Sequence, residues 1–283
     1  MSMNNLQIDP MTRDEMNLAL DWAAEEGWNP GLYDANAFYG ADTTGFLIGK
    51  INNEPVAMIS AVKYDKEFGF VGFYIVKPDY RGQGYGFQIW QAAMQALSGR
   101  NIGLDGVVDQ LPNYRKSGFR LAHRNMRYQG KAVGEIPANR NIVDLRRIPI
   151  DRILRYDRKF FPAHRVNFLE PWIHQPEAFA LGYIHDNQLK GYGVMRKCRK
   201  GYKIGPLFAE NPQIAEALFQ TLCSRIGTDE SFYLDIPQVN SAAGQLVEKQ
   251  NMELVFETAR MYTGEFPDLP LNKIFGVTTF ELG

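Results

Sequence analysis

Apolar residues along the chain fall into two periods. Residues 6–9, 45–51, 55–64 and 68–76 are short runs rich in β-branched and aromatic side chains, which predict strands. Asn52-Asn53-Glu54 separates the second and third of these as a turn, so 45–51, 55–64 and 68–76 read as an antiparallel meander. Residues 12–25 carry Met16, Leu20, Ala23 and Ala24 on one side at helical spacing, with Thr12 placed to cap the helix and Gly27 to stop it. A second helical stretch, 87–97, repeats Ile89/Trp90, Ala93/Met94 and Leu97. Strand 103–108, a short helix from Tyr114 closed by Gly118, and strand 121–128 follow. The resulting order of strand, helices, three strands, helix, strand, helix, strand predicts an α/β fold built on a mixed sheet.

The turn between strand 68–76 and helix 87–97 carries the most chemistry. Gly82, Gly84 and Gly86 allow positive φ and close approach of a ligand to the main chain. The N–H groups of such a turn and of the helix start converge, which favours a phosphate, and Arg81 adds positive charge. Glycines serve tight strand-to-helix turns on steric grounds too, so the triplet alone decides little. Gly86-Phe87 excludes a triphosphate loop ending in Gly-Lys-Ser/Thr. The Gly84–Gly86 spacing excludes the dinucleotide fingerprint.

The stretch resembles the acetyl-CoA signature of the GCN5-related N-acetyltransferase superfamily, V-x-P-x-x-R-x-x-G-x-G/A. Val76, Pro78, Arg81, Gly84 and Gly86 occupy its fixed positions. The resemblance implies acetyl-CoA as co-substrate. Main-chain groups of Tyr74, Ile75 and Val76 would face the pantetheine arm, and those of Gly82, Gln83, Gly84, Tyr85 and Gly86 the pyrophosphate. Tyr114-x-x-x-Gly118-Phe119 matches a further motif, Y-x-x-x-G-F, whose tyrosine stands near the coenzyme sulfur. Tyr114 is therefore the candidate acid for the leaving thiolate, unless it only packs against the next helix. The usual asparagine lead-in is absent, Val107 standing in its place, and Pro112 interrupts the usual helix start.

The implied reaction is direct attack of a neutral primary amine on the thioester in a ternary complex, with a main-chain amide near Val76 stabilising the oxyanion. In this fold the segment after the first helix covers the acceptor. That makes Glu26, Trp28 and Asp34 substrate-site candidates; Asp109, leaving strand 103–108, is a further one, and Glu26, Asp34, Asp105 and Asp109 are candidates for the base. Trp28, beside Gly27, Pro30 and Gly31, could equally be a packed plug beneath the loop.

The second half reads as a faded copy of the first. Ile51-Asn52-Asn53 pairs with Ile184-His185-Asp186, an offset of 184 − 51 = 133. Tyr114-x-x-x-Gly118-Phe119 pairs at that offset with Val247-x-x-x-Asn251-Met252, and Met126-Arg127-Tyr128 with Arg260-Met261-Tyr262. The missing lead-in is present here as Asn240-x-x-Ala243-x-x-Leu246. At the same offset Arg81, Gly84 and Gly86 become Ile214, Ala217 and Phe219, while Pro78 becomes Asn211 and Tyr114 becomes Val247. Two tandem acetyltransferase folds are expected, a catalytic one at 1–143 and one lacking the phosphate loop at 144–283. This arrangement and the ending, residues 274–283, resemble two-repeat members of the superfamily.

Composition narrows the alternatives. With 283 residues, 45% apolar and 22% charged, the chain has the material for a folded core. A net charge of −1 argues against a general nucleic-acid binder. The arginine-rich stretch 139–165 is interleaved with Asp144, Asp151 and Asp157 and reads as a solvated helix face. Cys198 and Cys223 suggest neither a metal site nor a disulfide framework, and His123, His164, His174 and His185 have no ligand spacing, so no metal is expected. The absence of an export signal or a bilayer-spanning apolar run suggests a cytoplasmic protein without a membrane partner. The expected acceptor is a small-molecule amine. Protein or peptide amines, a non-catalytic CoA-binding module, and a homo-oligomer remain open.

Overall fold

The computed structural model describes residues 6–132, 134 and 139–283. The first half runs β1 (Gln7–Pro10), α1 (Glu15–Glu25), α2 (Asp34–Ala41), β2 (Phe46–Ile51), β3 (Glu54–Lys63), β4 (Phe68–Val76), α3 (Tyr85–Ala96), β5 (Asn101–Val107), α4 (Leu111–Lys116) and β6 (Arg120–Lys131). The second runs β7 (Ile142–Asp144), α5 (Ile150–Asp157), α6 (Val166–Ile173), β8 (Phe179–His185), β9 (Gln188–Lys197), β10 (Tyr202–Ala209), α7 (Pro212–Cys223), β11 (Ser231–Pro237), α8 (Ser241–Lys249), β12 (Glu253–Tyr262) and β13 (Ile274–Gly276). The predicted strands and the helices around 12–25 and 87–97 are present. Thr12 and Glu15 exchange hydrogen bonds at the start of α1, a capping box. The helix α2 carries no clear period in sequence. It forms because Ala35, Ala37 and Phe38 are buried against α6, with Gly40 so close that a Cβ there would lie 2.7 Å from the Asn167 carbonyl.

Among the described residues all thirteen strands join one mixed sheet, in the order β1-β2-β3-β4-β5-β12-β6-β11-β10-β9-β8-β7, with β13 on β10. The halves exchange their last long strands. β12 from the second half lies antiparallel between β5 and β6, and β6 from the first pairs with β11. Arg127 on β6 faces Asp235 on β11 in register, and their side chains form a buried bidentate pair at 2.6 and 2.8 Å. One hydrophobic cluster also draws on both halves: Phe38 lies 5.9 Å from the Trp172 ring and 6.4 Å from that of Phe168.

The two halves differ at the glycine turn. The 133 offset, which relates Tyr114 to Val247, fails at the preceding helix: α3 begins at Tyr85 and α7 at Pro212, and 212 − 85 = 127. This connection in the second half is therefore six residues shorter (133 − 127), and Arg81, Gly84 and Gly86 have no one-for-one counterparts there. Asn211 now caps α7 directly, its side chain accepting from the Ile214 N–H. The parallel pairs differ as well. β4 and β5 pair only at Phe68–Phe70 against Asn101–Gly103 and then separate. β10 and β11 likewise pair only at Tyr202–Ile204 with Phe232–Leu234, but β13 then docks on β10 at Leu207 and Phe208, filling the gap. Phe275 in β13 is wholly buried.

Candidate acyl-transfer site

The gap between β4 and β5 remains open. Its geometry starts with a bulge: Met58 pairs with Ile75 and Ser60 with Gly72, so two residues of β4, Phe73 and Tyr74, oppose the single Ile59. Phe73 takes φ +47° and buries its ring against Phe38 at 5.4 Å. Beyond the bulge the β5-facing edge of β4 has no strand beside it, which leaves main-chain groups of Tyr74–Val76 on a cleft wall.

The turn then places its glycines for two different reasons. Gly82 and Gly84 adopt φ +76° and +85°, with open space where a Cβ would stand, so backbone conformation requires them. Gly86 has no such φ; a Cβ there would meet the Tyr74 hydroxyl at 2.6 Å. Gly84 is the left-handed N-cap of α3, without a side-chain cap. Among the described residues the main-chain N–H groups of residues 82–87 have no acceptor, the arrangement that suits a phosphate at a helix N-terminus. Gln83 turns its side chain back to the Asp79 carbonyl at 2.8 Å, and Tyr85 is buried in the core, so these two bring amides, not side chains, to the turn. Arg81 is already engaged: Nε donates to the Val76 carbonyl at 2.8 Å, and Nη2 pairs with Glu26.

A cavity of about 880 Å³ extends from this turn along β4 and ends against the second half of the chain. Tyr114 lines it. Its ring packs so close to Gly106 that a Cβ there would lie 2.2 Å away, and Trp90 lies 5.8 Å off. Burial, with Tyr74 adding a smaller effect, pushes the Tyr114 phenol up to about 12, so it holds its proton at neutral pH. Trp90 is itself fixed by a hydrogen bond from Nε1 to Ser117 Oγ at 3.1 Å.

Of the acceptor candidates, Glu26 and Trp28 line the cavity. Glu26 is committed to Arg81 at its mouth, and Trp28 is half-buried, packing on the core with one face. Asp34 does not reach the cleft: its carboxylate is wholly buried, accepting from Arg196 Nε at 2.8 Å and from the Gly31 N–H at 2.8 Å. It anchors the loop rather than meeting a substrate. Asp109 is exposed on a short turn outside the cavity lining. Asp105 shows the cleft its main chain only; its carboxylate is fully buried, held by Arg260 at 2.6 and 2.9 Å and by Asn125 at 2.8 Å. The far end is built from residues with no sequence signal for a site: Arg127, Phe256, Thr258, Phe280 and Glu281. They arrive through the strand exchange and the tail after β13. Among the described residues no cluster of potential metal ligands occurs, and no helix is long and apolar enough to cross a membrane.

This fold and cleft define an acyltransferase class that the comparisons name. Residues 13–119 match the profile of the Acetyltransferase (GNAT) family, and residues 153–276 that of an Acetyltransferase (GNAT) domain. The chain is 30% identical over 274 residues to holothin acyltransferase of Pseudoalteromonas sp. (strain SANK 73390), covering 97% of this chain and 93% of that one. The chain thus belongs to the GNAT acyltransferase family, as a member with two repeats. Among solved structures it is similar to a putative acetyltransferase from Pyrococcus horikoshii, with a TM-score of 0.83 and 22% identity over 100% of this chain and 98% of that one. A tandem GNAT protein from the clavulanic acid biosynthesis pathway aligns with a TM-score of 0.62 at 12% identity, covering 93% and 100%.

Proposed function

We propose that the protein transfers an acetyl group from acetyl-CoA to the primary amine of a small molecule, by direct attack in a ternary complex. The observation that carries this reading is the row of unpaired N–H groups at residues 82–87, at the head of a cleft that continues past Tyr114. Acyl-CoA, when bound, supplies the activated thioester. The chain's own groups fit it: residues 82–87 offer amides to a diphosphate, and the free edge of β4 offers peptide groups to an extended amide-bearing arm. An amide beside the β4 bulge would donate to the developing oxyanion, and Tyr114, kept protonated by burial, would donate to the departing sulfur.

A small acceptor is favoured over a protein because side chains of β12 and the tail, Phe256, Thr258, Phe280 and Glu281, line the cavity away from the glycine turn. The Pseudoalteromonas relative's name likewise specifies one acceptor, holothin. A supply of acetyl-CoA puts the reaction in the cytoplasm. The second half, whose own gap holds β13, is read as the acceptor-side wall, in keeping with ligand sites between repeated units. The test is CoA-thiol release by the purified protein across small amines, amino acids and peptides. Release dependent on one class of small amine is expected; release only with peptides, or with no amine, would refute the reading.

A further inference from the structure

Glu281 is a carboxylate with an unusual position. The residue is 6% exposed, lines the cavity, and has no Lys, Arg or His within ion-pair distance among the described residues. One oxygen, Oε2, accepts from the Thr279 hydroxyl, while Oε1 has no partner and is not enclosed by protein. Three buried cations lie within electrostatic range of it: Arg127 and Arg196, ion-paired to Asp235 and Asp34, and Lys203, which has no carboxylate in contact among the described residues. The Lys203 ammonium donates to the carbonyls of Trp28 and Asn29 at 3.4 and 3.0 Å rather than to Glu281, and it does not line the cavity. These cations stabilise the carboxylate from a distance without touching it, and its open oxygen is left for a donor that enters through the cleft.

The walls around it are aromatic. Phe280 and Phe256 flank Arg127, whose guanidinium lies 4.7 and 5.8 Å from their ring centroids, and Trp28 adds an indole face. Arg127 is charge-neutralised by Asp235, so it stiffens the rings without attracting an anion. Resting on the acyl-transfer reading above, we infer that Glu281 is the acceptor-side catalytic residue, and that the acceptor is a cationic primary amine on a compact aromatic body lacking a carboxylate of its own. Glu281 binds the ammonium through a charge-assisted hydrogen bond and takes one of its protons. The freed nitrogen lone pair forms the C–N bond to the acyl carbon as the C–S bond breaks. The sulfur leaves with that electron pair and receives a proton through Tyr114, and the second nitrogen proton is released. In sum, the ammonium and acyl-CoA give the amide, CoA thiol and one proton. The second repeat thus contributes a reacting group to the first repeat's site.

The test uses the full chain preloaded with CoA and two probes of matched shape, phenethylamine and phenethyl alcohol. Wild type should bind the amine roughly tenfold or more tightly than the alcohol. Glu281→Gln should abolish that preference, lower amine-dependent kcat/KM by about 10²-fold or more, and leave acetyl-CoA affinity unchanged. Equal binding of both probes by wild type would overturn the inference without any variant, as would a preference retained in E281Q. Failure of wild type to bind acetyl-CoA would instead remove the acyl-transfer reading itself.

Discussion

The main-chain carbonyl of Glu281 lies against Gly72 so closely that a Cβ at position 72 would come within 2.2 Å of it. The tail of the second half is thereby seated on the strand that opens the cleft of the first, one residue before the bulge at Phe73. Because the obstructing atom is backbone, Gly72→Ala must displace the tail or the strand. It should cost about 1–3 kcal/mol of stability by denaturant titration. The KM for the amine should rise in the folded fraction. Wild-type stability and wild-type KM together would show that the contact is not maintained in solution.

The glycine turn makes a sharper forecast. Gly84 is left-handed and caps α3, so Gly84→Asp adds backbone strain and a negative charge beside the unpaired amides. Acetyl-CoA binding should fall at least 10²-fold in calorimetry, with the fold retained by circular dichroism. Unaltered affinity would place the diphosphate elsewhere.

Tyr114→Phe separates chemistry from binding. The phenol is pushed up to about 12 by burial and so keeps its proton at neutral pH. Its loss should lower kcat by on the order of 10² to 10⁴, with acetyl-CoA affinity little changed. An unaltered kcat, where chemistry limits turnover, would dismiss it as the acid.

How much of this was legible in the sequence depends on the range of the signal. The turn at Arg81–Gly86 and the strands beside it are local, and the glycine spacing and apolar periods report them directly. The exchange of β6 and β12 is not local: both strands keep the same alternation whichever neighbour they pair with, so no pattern distinguishes them. Glu281 and Phe256 reach the cleft only through that exchange and the tail after β13, which is why the acceptor candidates fell on the nearer Asp34 and Asp109. Asp34 also illustrates a general ambiguity, since a carboxylate in a loop reads alike whether it meets a substrate or, as here, Arg196. The offset that revealed the repeat misled at the turn, because a fixed register cannot see a six-residue difference in length (133 − 127).

His123 sets a pH dependence of stability. Burial, reinforced by Arg260, pulls its imidazole down from 6.5 to about 3, so the folded state binds the proton more weakly than the unfolded chain. Its contribution is fully present above pH 6.5 and is lost as pH falls toward about 3. The urea midpoint should therefore begin to drop below about pH 6.5, before ordinary carboxylates titrate, and His123→Gln should flatten that early part of the slope. An unchanged slope in the variant would mean that His123 is protonated in the fold.

The central claim is that one acyl-CoA site exists per chain and that it lies in the first half. Calorimetric titration of acetyl-CoA into the full chain measures this directly. The account predicts a stoichiometry of one, lost with Gly84→Asp, since β13 fills the corresponding gap of the second half and its turn is six residues shorter (133 − 127). A stoichiometry of two, or one site that survives Gly84→Asp unweakened, would contradict it.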